Sequence, residues 1–231
     1  KVGMDNVAYF GSLGLLGPQT TLAHCVWLTA HEQKLVKDTG THICHCPGSN
    51  LKLASGYAKL PELLEAGLSV ALGADGAPCN NNLDLFQEMR LAALMHLPRK
   101  GPTSIRAAQI FELATLGGAR ALGLQDEVGS LEPGKRADFA LVDLSGPHVT
   151  PSGDDVVSQL VYSAQSRDVT DVVVDGRVLV RNRVALTLDE PRIPARVGDQ
   201  ARDELTDHRR EDDRALERRR HDQAVDGVHR S

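Results

Sequence analysis

Three strand, loop and helix units follow one another between residues 20 and 97, and this repetition constrains the fold more than any other feature. Each unit begins with a short segment that predicts a strand, at residues 21–25, 41–46 and 68–73, and continues into an amphipathic stretch. Alternating strands and helices are typical of a parallel sheet covered by helices. The repetition therefore predicts an α/β fold, either part of a (β/α) barrel or part of a doubly wound sheet.

Signals for helix ends fall between the apolar runs. Thr29 and Glu32 have the spacing of a capping box, in which each side chain bonds a free backbone amide of the first helical turn. Gly40 is placed to end that helix, and Gly67 and Gly123 are placed to end two later ones. We expect further helices at residues 61–66, 83–96 and 103–122, and a loop at residues 47–50.

The pattern changes to short strands and turns after Gly129. Asp175-Gly176 lies between two apolar runs and predicts a hairpin, because both central residues of a type I′ turn need positive φ. From Pro191 the chain has no aromatic residue and no Lys, so it offers too little apolar surface to offset chain entropy. We therefore expect a tail that is disordered or forms a loosely held helix. Because Arg is the tail's one basic residue type apart from His, an out-of-frame reading of GC-rich DNA is a further hypothesis. The expected domains are residues 1–128, 129–190 and 191–231.

Composition narrows the partners and the location. The net charge is −5 and no patch is strongly basic, which argues against nucleic acid as a partner. No apolar run reaches the roughly 20 residues that span a bilayer, and no signal peptide is apparent, so we expect a cytoplasmic protein without a membrane partner. The chain begins with Lys1 rather than Met, and we expect it to be part of a larger protein. Its four cysteines lack the spacing of a secreted disulfide framework and are expected to be reduced thiols.

Asp75 is the sharpest candidate for chemistry. It directly follows an apolar strand, in the turn Gly73-Ala74-Asp75-Gly76. The carboxyl ends of barrel strands form the active-site face, so a carboxylate there can ligate a metal or accept a proton from water. The alternative is an Asp that caps the following turn or helix.

His24 also follows a strand, where an imidazole could polarise a substrate or hold an attacking water. The alternative is a packed histidine that bonds the backbone. Both interpretations stay open from the residues alone.

The cluster from His42 to Cys46 has the composition of a zinc finger but not its spacing. Alternation along a strand puts residues 42, 44 and 46 on one face, and no second ligand pair follows. Buried strand cysteines are the favoured explanation, with His45 as a candidate substrate contact. Asn80, Asn81 and Asn82 are expected to cap the next helix, and Asn80 is also a candidate substrate contact.

Several ordered motifs, taken together, resemble the amidohydrolase superfamily. The similar branch contains S-adenosylhomocysteine, methylthioadenosine and 5′-deoxyadenosine deaminases, guanine-type deaminases and triazine hydrolases. The resemblance runs from about residue 14 to residue 188. The motifs are Leu-Ala-His-Cys-Val at 22–26, His-Cys-Pro-Gly-Ser-Asn-Leu-Lys-Leu-Ala-Ser-Gly at 45–56, Gly-Ala-Asp-Gly-Ala-Pro-Cys-Asn-Asn at 73–81, Ala-Thr-Leu-Gly-Gly-Ala-Arg-Ala-Leu-Gly-Leu at 114–124 and Gly-Ser-Leu-Glu-Pro-Gly-Lys-Arg-Ala-Asp at 129–138.

The resemblance implies an incomplete (β/α)8 barrel, of which this chain holds the sixth, seventh and eighth strands, plus part of a small β-sandwich. It implies one divalent metal, zinc or else iron. Asp75 matches the metal ligand after the eighth strand, and His24 matches the histidine after the sixth strand that contacts substrate or attacking water. The family's other metal ligands and its catalytic Glu would precede Lys1, so we expect the isolated chain to be inactive.

The implied reaction is hydrolytic deamination of a purine nucleoside or nucleobase-like ring. One alternative is a triazine hydrolase with the same mechanism and another leaving group. An alternative of another class is a non-catalytic chain that binds a purine-like ligand or a partner. A homo-oligomer or a complementing N-terminal fragment would be the expected protein partner.

Overall fold

Two sheets of different type organise the residues that the computed structural model describes, which are 3–150, 153–189 and 192–193. One sheet is parallel and the other antiparallel, so the described chain is a mixed α/β structure. Contacts divide the chain into a unit of residues 1–184 and a unit of residues 185–231. The predicted boundaries at residues 128 and 190 stay predictions. The predicted tail lies outside the described residues except for Arg192 and Ile193.

The parallel sheet has three strands in the order β1-β2-β3, so β2 is in the middle. Ile43 of β2 lies between Leu22 of β1 and Val70 of β3 in the register. The antiparallel sheet has the order β4-β5-β6-β7. The strands are β1 (Thr21–Ala23), β2 (His42–His45), β3 (Ser69–Leu72), β4 (Phe139–Val142), β5 (Val169–Val174), β6 (Arg177–Arg181) and β7 (Val184–Ala185).

Helices connect and cover the strands. A short 3-10 helix at Ser166–Asp168 precedes β5. Among the described residues, no helix combines the length and the apolar character needed to span a bilayer. The α-helices are α1 (Asn6–Ser12), α2 (Ala30–Thr39), α3 (Pro47–Lys52), α4 (Leu60–Glu65), α5 (Ala77–Asn80), α6 (Leu85–Leu94), α7 (Leu97–Lys100), α8 (Ala107–Ala114), α9 (Leu116–Ala121) and α10 (Val156–Tyr162).

The capping box at the start of α2 is confirmed. The Glu32 amide donates to Thr29 Oγ1 at 3.2 Å, and Glu32 Oε2 accepts from the Thr29 amide at 3.0 Å. Its other oxygen accepts from the Val7 amide at 3.1 Å, which ties α1 to α2. Gly40 ends the helix with a left-handed φ of 70°, as its position predicted.

The predicted hairpin joins β5 to β6. Asp175 has φ 50° and Gly176 has φ 72°, so both central residues are in the left-handed region that a type I′ turn requires.

Two predicted boundaries near the sheet were wrong. Residues 47–50 are not a loop but open α3, in which Pro47 takes the first turn, where a missing amide costs nothing. The next long helix begins at Leu85, and its cap is Asp84 rather than the three asparagines. Asp84 Oδ1 accepts from the Phe86 amide at 2.9 Å and from the Gln87 amide at 3.4 Å.

The helix predicted over residues 103–122 is two helices, α8 and α9. The break falls at Thr115, which has φ −119° and ψ −92°. After the break, Gly117 approaches β3 so closely that a Cβ atom there would lie 2.8 Å from the Val70 carbonyl oxygen. The break therefore places a face of α9 formed by small residues against the sheet. Hydrophobic periodicity does not detect such a face.

The apolar core lies between the parallel sheet and its helices. Val36 of α2, Ile43 of β2, Leu60 of α4 and Ile110 of α8 are all 0% exposed. Val161 of α10 joins the same cluster. Burial of such side chains supplies most of the free energy that holds the strands, and so the strand ends, in place.

Candidate functional site

The carboxyl ends of the three parallel strands lie at one edge of the sheet, and each delivers a polar side chain to it. His24 follows β1, Ser49 lies in the helix that follows β2, and Asp75 follows β3. Because the strands are parallel and adjacent, these residues converge although they lie as far apart in the sequence as positions 24 and 75. We refer to these three residues as the polar edge.

Asp75 is the centre of the polar edge. Its Oδ2 accepts from Ser49 Oγ at 2.6 Å, and its Oδ1 accepts from the Gly76 amide at 2.7 Å. Its Oδ2 also lies 3.8 Å from His24 Nε2. The Ser49 hydroxyl foremost, then the Gly76 amide and the charge interaction with the nearby His24 ring, hold the pKa of Asp75 below its ordinary value. The carboxylate is therefore ionised at neutral pH and able to accept a proton.

His24 reaches Asp75 because the chain turns sharply where β1 ends. His24 and Cys25 are consecutive left-handed residues, with φ 67° and 48°. The His24 amide still bonds the Cys44 carbonyl oxygen at 2.9 Å, as a continuing strand would. Non-glycine residues in this region of φ carry strain, and such strain concentrates at functional sites. Asp75, with φ 66°, shares the feature.

Ser49 was missed because residues 47–50 were interpreted as a loop. It is 1% exposed and points its hydroxyl at Asp75 from the first turn of α3. Pro47 directly after an apolar strand is the signal that could have found it, because proline favours the first turn of a helix.

Glu88 of α6 lies behind the polar edge and was also missed. It is 1% exposed, and burial raises the pKa of its carboxyl group above the ordinary value. Its Oε2 accepts from the Gly48 amide and its Oε1 from Asn80 Nδ2, both at 2.8 Å. No simple sequence signal marks a buried carboxylate on an amphipathic helix.

Asn80 does not line the cleft beside Asp75. Its Nδ2 bonds the Ala74 carbonyl oxygen and Glu88, and its Oδ1 accepts from the amides of Asn82 and Leu83. Both polar atoms of the Asn80 side chain are thus engaged in hydrogen bonds within the protein. Its assignment as a substrate contact stays a prediction.

His45 is 0% exposed and faces the helices rather than the cleft. Its ring centre lies 6.5 Å from that of His96, which is also 0% exposed. Burial, and for His45 the neighbouring His96, lowers the pKa of His45 to about 3 and that of His96 to about 4. Both rings are therefore neutral at physiological pH. The substrate contact predicted for His45 also stays a prediction.

The cysteines agree with the predicted strand packing. Cys46 is 4% exposed and Cys44 is half-buried, and all four cysteines are free thiols.

A cleft of about 720 Å³ opens at the polar edge. His24, Ser49 and Asp75 line it together with apolar side chains that include Phe10 and Trp27. A volume of this size accommodates a small organic molecule, and the mixed lining suits a ligand with one polar part and one apolar part.

The donor atoms of the described residues do not by themselves fit a catalytic zinc ion. Such an ion takes about three protein ligands, and among the described residues no group of three or more His, Cys, Asp or Glu side chains is placed to hold a metal. Both Asp75 oxygens already accept hydrogen bonds, and His24 Nε2 lies 3.8 Å from Asp75 Oδ2. Asp75 is therefore at most part of a ligand set.

Comparison with known proteins gives a consistent result. The sequence profile described as "Amidohydrolase family" matches residues 3–179. A curated 5-methylthioadenosine/S-adenosylhomocysteine deaminase of Moorella thermoacetica is 47% identical over 198 residues, which cover 85% of this chain and 46% of that protein.

Solved structures show the same similarity. An adenosine deaminase from Xanthomonas campestris with bound zinc aligns with a TM-score of 0.84 and 39% identity, over 89% of this chain and 47% of that one. A variant of atrazine chlorohydrolase from Arthrobacter aurescens, complexed with zinc and atraton, aligns with a TM-score of 0.80 and 32% identity, over 86% and 44%. The chain spans about half the length of the relatives it matches.

Proposed function

The chain belongs to the amidohydrolase family, and from this premise we propose that it forms the C-terminal part of an enzyme that hydrolytically deaminates a purine nucleoside. The observation that carries the proposal is the convergence of His24, Ser49 and Asp75 on one cleft at the ends of three adjacent parallel strands. In a (β/α) barrel this edge is the active-site face.

In this proposal β1, β2 and β3 are the sixth, seventh and eighth strands of a (β/α)8 barrel that this chain does not complete. Residues 129–190 then belong to a small β-sandwich domain. The parallel order β1-β2-β3 and the alignment with about half of each solved relative support this assignment.

The polar edge supplies a base and a charge-stabilising group. In hydrolytic deamination a water adds to the ring carbon that bears the amino group, and ammonia departs. Asp75 accepts a proton from that water and returns it to the departing ammonia, while the His24 ring stabilises the charge that develops on the adding oxygen. Ser49 holds the carboxylate in place for both transfers.

We also propose that Asp75 is one ligand of a divalent metal, zinc or iron. The described residues do not supply the remaining ligands, and we propose that they come from the part of the enzyme that this chain does not span. The zinc in the solved structures of two relatives supports this proposal.

An adenosine-type nucleoside is the proposed substrate in preference to a triazine. The Moorella relative, named for nucleoside substrates, is 47% identical to this chain, whereas the atrazine chlorohydrolase variant is 32% identical. The cleft has an apolar lining beside its polar edge, which suits a ring with an apolar substituent.

Complementation tests the proposal. This chain is mixed with the segment of the Moorella relative that precedes the aligned region, zinc is supplied, and ammonia release is measured with methylthioadenosine and with atrazine. We expect ammonia from the nucleoside only with both pieces present. Formation of a folded complex that releases none would contradict the proposal, and chloride from atrazine would favour the triazine alternative.

The Asp75→Asn variant of the complemented enzyme should lose at least about 100-fold in turnover, because an amide cannot accept the proton. Asp38→Asn is the matched control, since Asp38 is an exposed carboxylate paired with Lys34 in α2. Equal turnover in the two variants would remove Asp75 from the mechanism.

A further inference from the structure

Glu88 joins the first turn of α3, which follows β2, to the end of α5, which follows β3. Toward the surface, Lys52 of α3 also bonds the Pro78 carbonyl oxygen of α5 at 2.6 Å. Glu88 Oε2 accepts from the Gly48 amide, which follows β2, and Glu88 Oε1 accepts from Asn80 Nδ2, which lies at the end of α5 after β3. Each oxygen of one buried carboxylate thus bonds a different short helix beside the polar edge, α3 or α5.

Asn80 also bonds Ala74, the residue that directly precedes Asp75. Its Nδ2 donates to the Ala74 carbonyl oxygen at 2.8 Å as well as to Glu88. Gly48, in turn, directly precedes Ser49. Glu88 therefore holds, directly or through Asn80, the residues that precede both partners of the 2.6 Å hydrogen bond between Ser49 and Asp75.

The lack of a side chain at Gly48 permits this contact. A Cβ atom at this position would lie 2.2 Å from Glu88 Oε1 and 2.8 Å from Asn80 Nδ2, which is closer than atoms can pack. Glycine is the residue that lets the backbone amide approach the carboxylate so closely.

The placement of a carboxylate here needs an explanation beyond packing. Among the salt bridges of the described residues none involves Glu88, so its charge is compensated by N–H groups rather than by a cation. A buried charge of this kind is costly, and an apolar side chain of similar size often fills such a position with equal or greater stability.

We infer that Glu88, together with Asn80, is a positioning residue that sets the separation of Ser49 and Asp75. The inference rests on the proposed function only in assigning a catalytic role to Asp75. The geometric part of the inference concerns this chain alone.

Amide hydrogen exchange measured by NMR on the 231-residue chain tests that geometry. In Glu88→Leu both acceptor oxygens are lost at similar side-chain volume, so we expect the exchange rates of the Gly48 and Gly76 amides to rise about tenfold, the factor for loss of one hydrogen bond. Gly76 reports on Asp75 because its amide bonds the Asp75 carboxylate. The amide of buried Val36 in α2 should keep its rate.

Glu88→Gln is the conservative variant, and it also serves if Glu88→Leu does not fold. Its side-chain amide has one acceptor oxygen and can keep only one of the two hydrogen bonds, to the Gly48 amide or to Asn80 Nδ2, so at least one of the Gly48 and Gly76 amides should exchange faster. Glu65→Gln, at an exposed position of α4, is the matched control for loss of a carboxylate.

Unchanged exchange at both Gly48 and Gly76 in a folded Glu88 variant would overturn the inference. So would a rise that Val36 shares in equal proportion, because it would mean general destabilisation. The experiment requires no catalysis, and a failure of the chain to support deamination would leave its result intact.

Discussion

The polar edge and the β5–β6 hairpin both depend on residues with positive φ, but they are held by different means. In the hairpin, Asp175 and Gly176 take φ 50° and 72° because a two-residue turn between twisted strands demands it. At the polar edge, His24 and Asp75 take similar values of φ, and contacts distant in sequence hold them. Asp75 bonds Ser49 across 26 residues, and Gly48 bonds Glu88 across 40.

This difference separates two origins of backbone strain. Strain in the hairpin is relieved by the choice of residue, since Asp and Gly tolerate the left-handed region. At the polar edge His and Asp are also residue types that accept positive φ, but contacts distant in sequence rather than a tight turn select that conformation, and they hold the side chains in orientations useful for chemistry. Substitutions of His24 and Asp75 should therefore affect activity more than stability, whereas substitutions in the hairpin should affect stability alone.

The largest expected effect is on turnover at the polar edge. His24→Asn keeps a residue that tolerates positive φ but removes the ring, so turnover of the complemented enzyme should fall about 100-fold with little change in melting temperature. His31→Asn, at an exposed position of α2, should change neither quantity. A large loss of stability in His24→Asn would mean that the ring serves packing instead.

Acid should destabilise the core behind the parallel sheet, where His45 and His96 are buried, and the segment before the hairpin in different pH ranges. The folded-state pKa values of His45 and His96, about 3 and about 4, lie below the unfolded value near 6.5. The unfolded chain therefore binds more protons, and stability falls as the pH drops below about 6.5, by up to ~1.4 kcal/mol per pH unit for each histidine.

Near the hairpin, the group whose protonation should affect stability is Asp168, which directly precedes β5. Burial opposes ionisation of its carboxyl group, but the hydrogen bonds of His148 Nε2 at 2.7 Å and of the Gln165 amide outweigh it and lower the pKa. Its contribution is complete above the ordinary pKa of an aspartate and is lost as the pH falls through the lowered value.

Urea unfolding at a series of pH values measures both contributions. In His96→Phe the free energy of unfolding should depend less steeply on pH between about 4 and 6.5, by about the contribution of one histidine. In Asp168→Asn the free energy of unfolding should change by a constant amount across that range. An unaltered slope in His96→Phe would contradict the assignment of His96 as buried and neutral in the folded protein.

Substitution of one glycine in each region compares packing with turn strain. In Gly48→Ala the new methyl group would displace Glu88, and we expect a loss of about 2 kcal/mol in the free energy of unfolding. In Gly176→Ala nothing obstructs the methyl group, and the positive φ alone should cost about 1 kcal/mol. Chemical denaturation measures both, and the opposite order would indicate that Glu88 moves aside easily.

The smallest effect is expected in the hairpin. Asp175→Asn retains a residue that accepts the left-handed region and loses an exposed contact of 3.9 Å with Arg136. The free energy of unfolding should change by less than about 0.5 kcal/mol, because exposed ion pairs contribute little. A larger loss in thermal denaturation would show that the carboxylate itself supports the turn.

Much of the fold was predictable because its signals are local. The capping box of Thr29 and Glu32, the helix stop at Gly40 and the turn at Asp175-Gly176 each depend on residues a few positions apart. The order of apolar runs predicted the three parallel strands for the same reason.

Errors occurred where a distant contact decided the local structure. The close approach of Gly117 to Val70 accompanies the break between α8 and α9, and no periodicity within residues 103–122 contains that contact. Asp84 rather than Asn80 caps α6, and Asn80 is instead engaged by Glu88 and Ala74. Competing caps differ little in local preference, so tertiary contacts select between them.

The sequence by itself determined which strand ends carry His24 and Asp75, because a polar residue after an apolar run marks the end of a strand. It did not determine what surrounds them. Only the tertiary structure placed the Ser49 hydroxyl on Asp75, buried His45 near His96 and put the Glu88 carboxylate between α3 and α5. Parallel strands are paired through connections of a dozen residues or more, so the atoms that meet at their ends are neighbours in space and not in the chain.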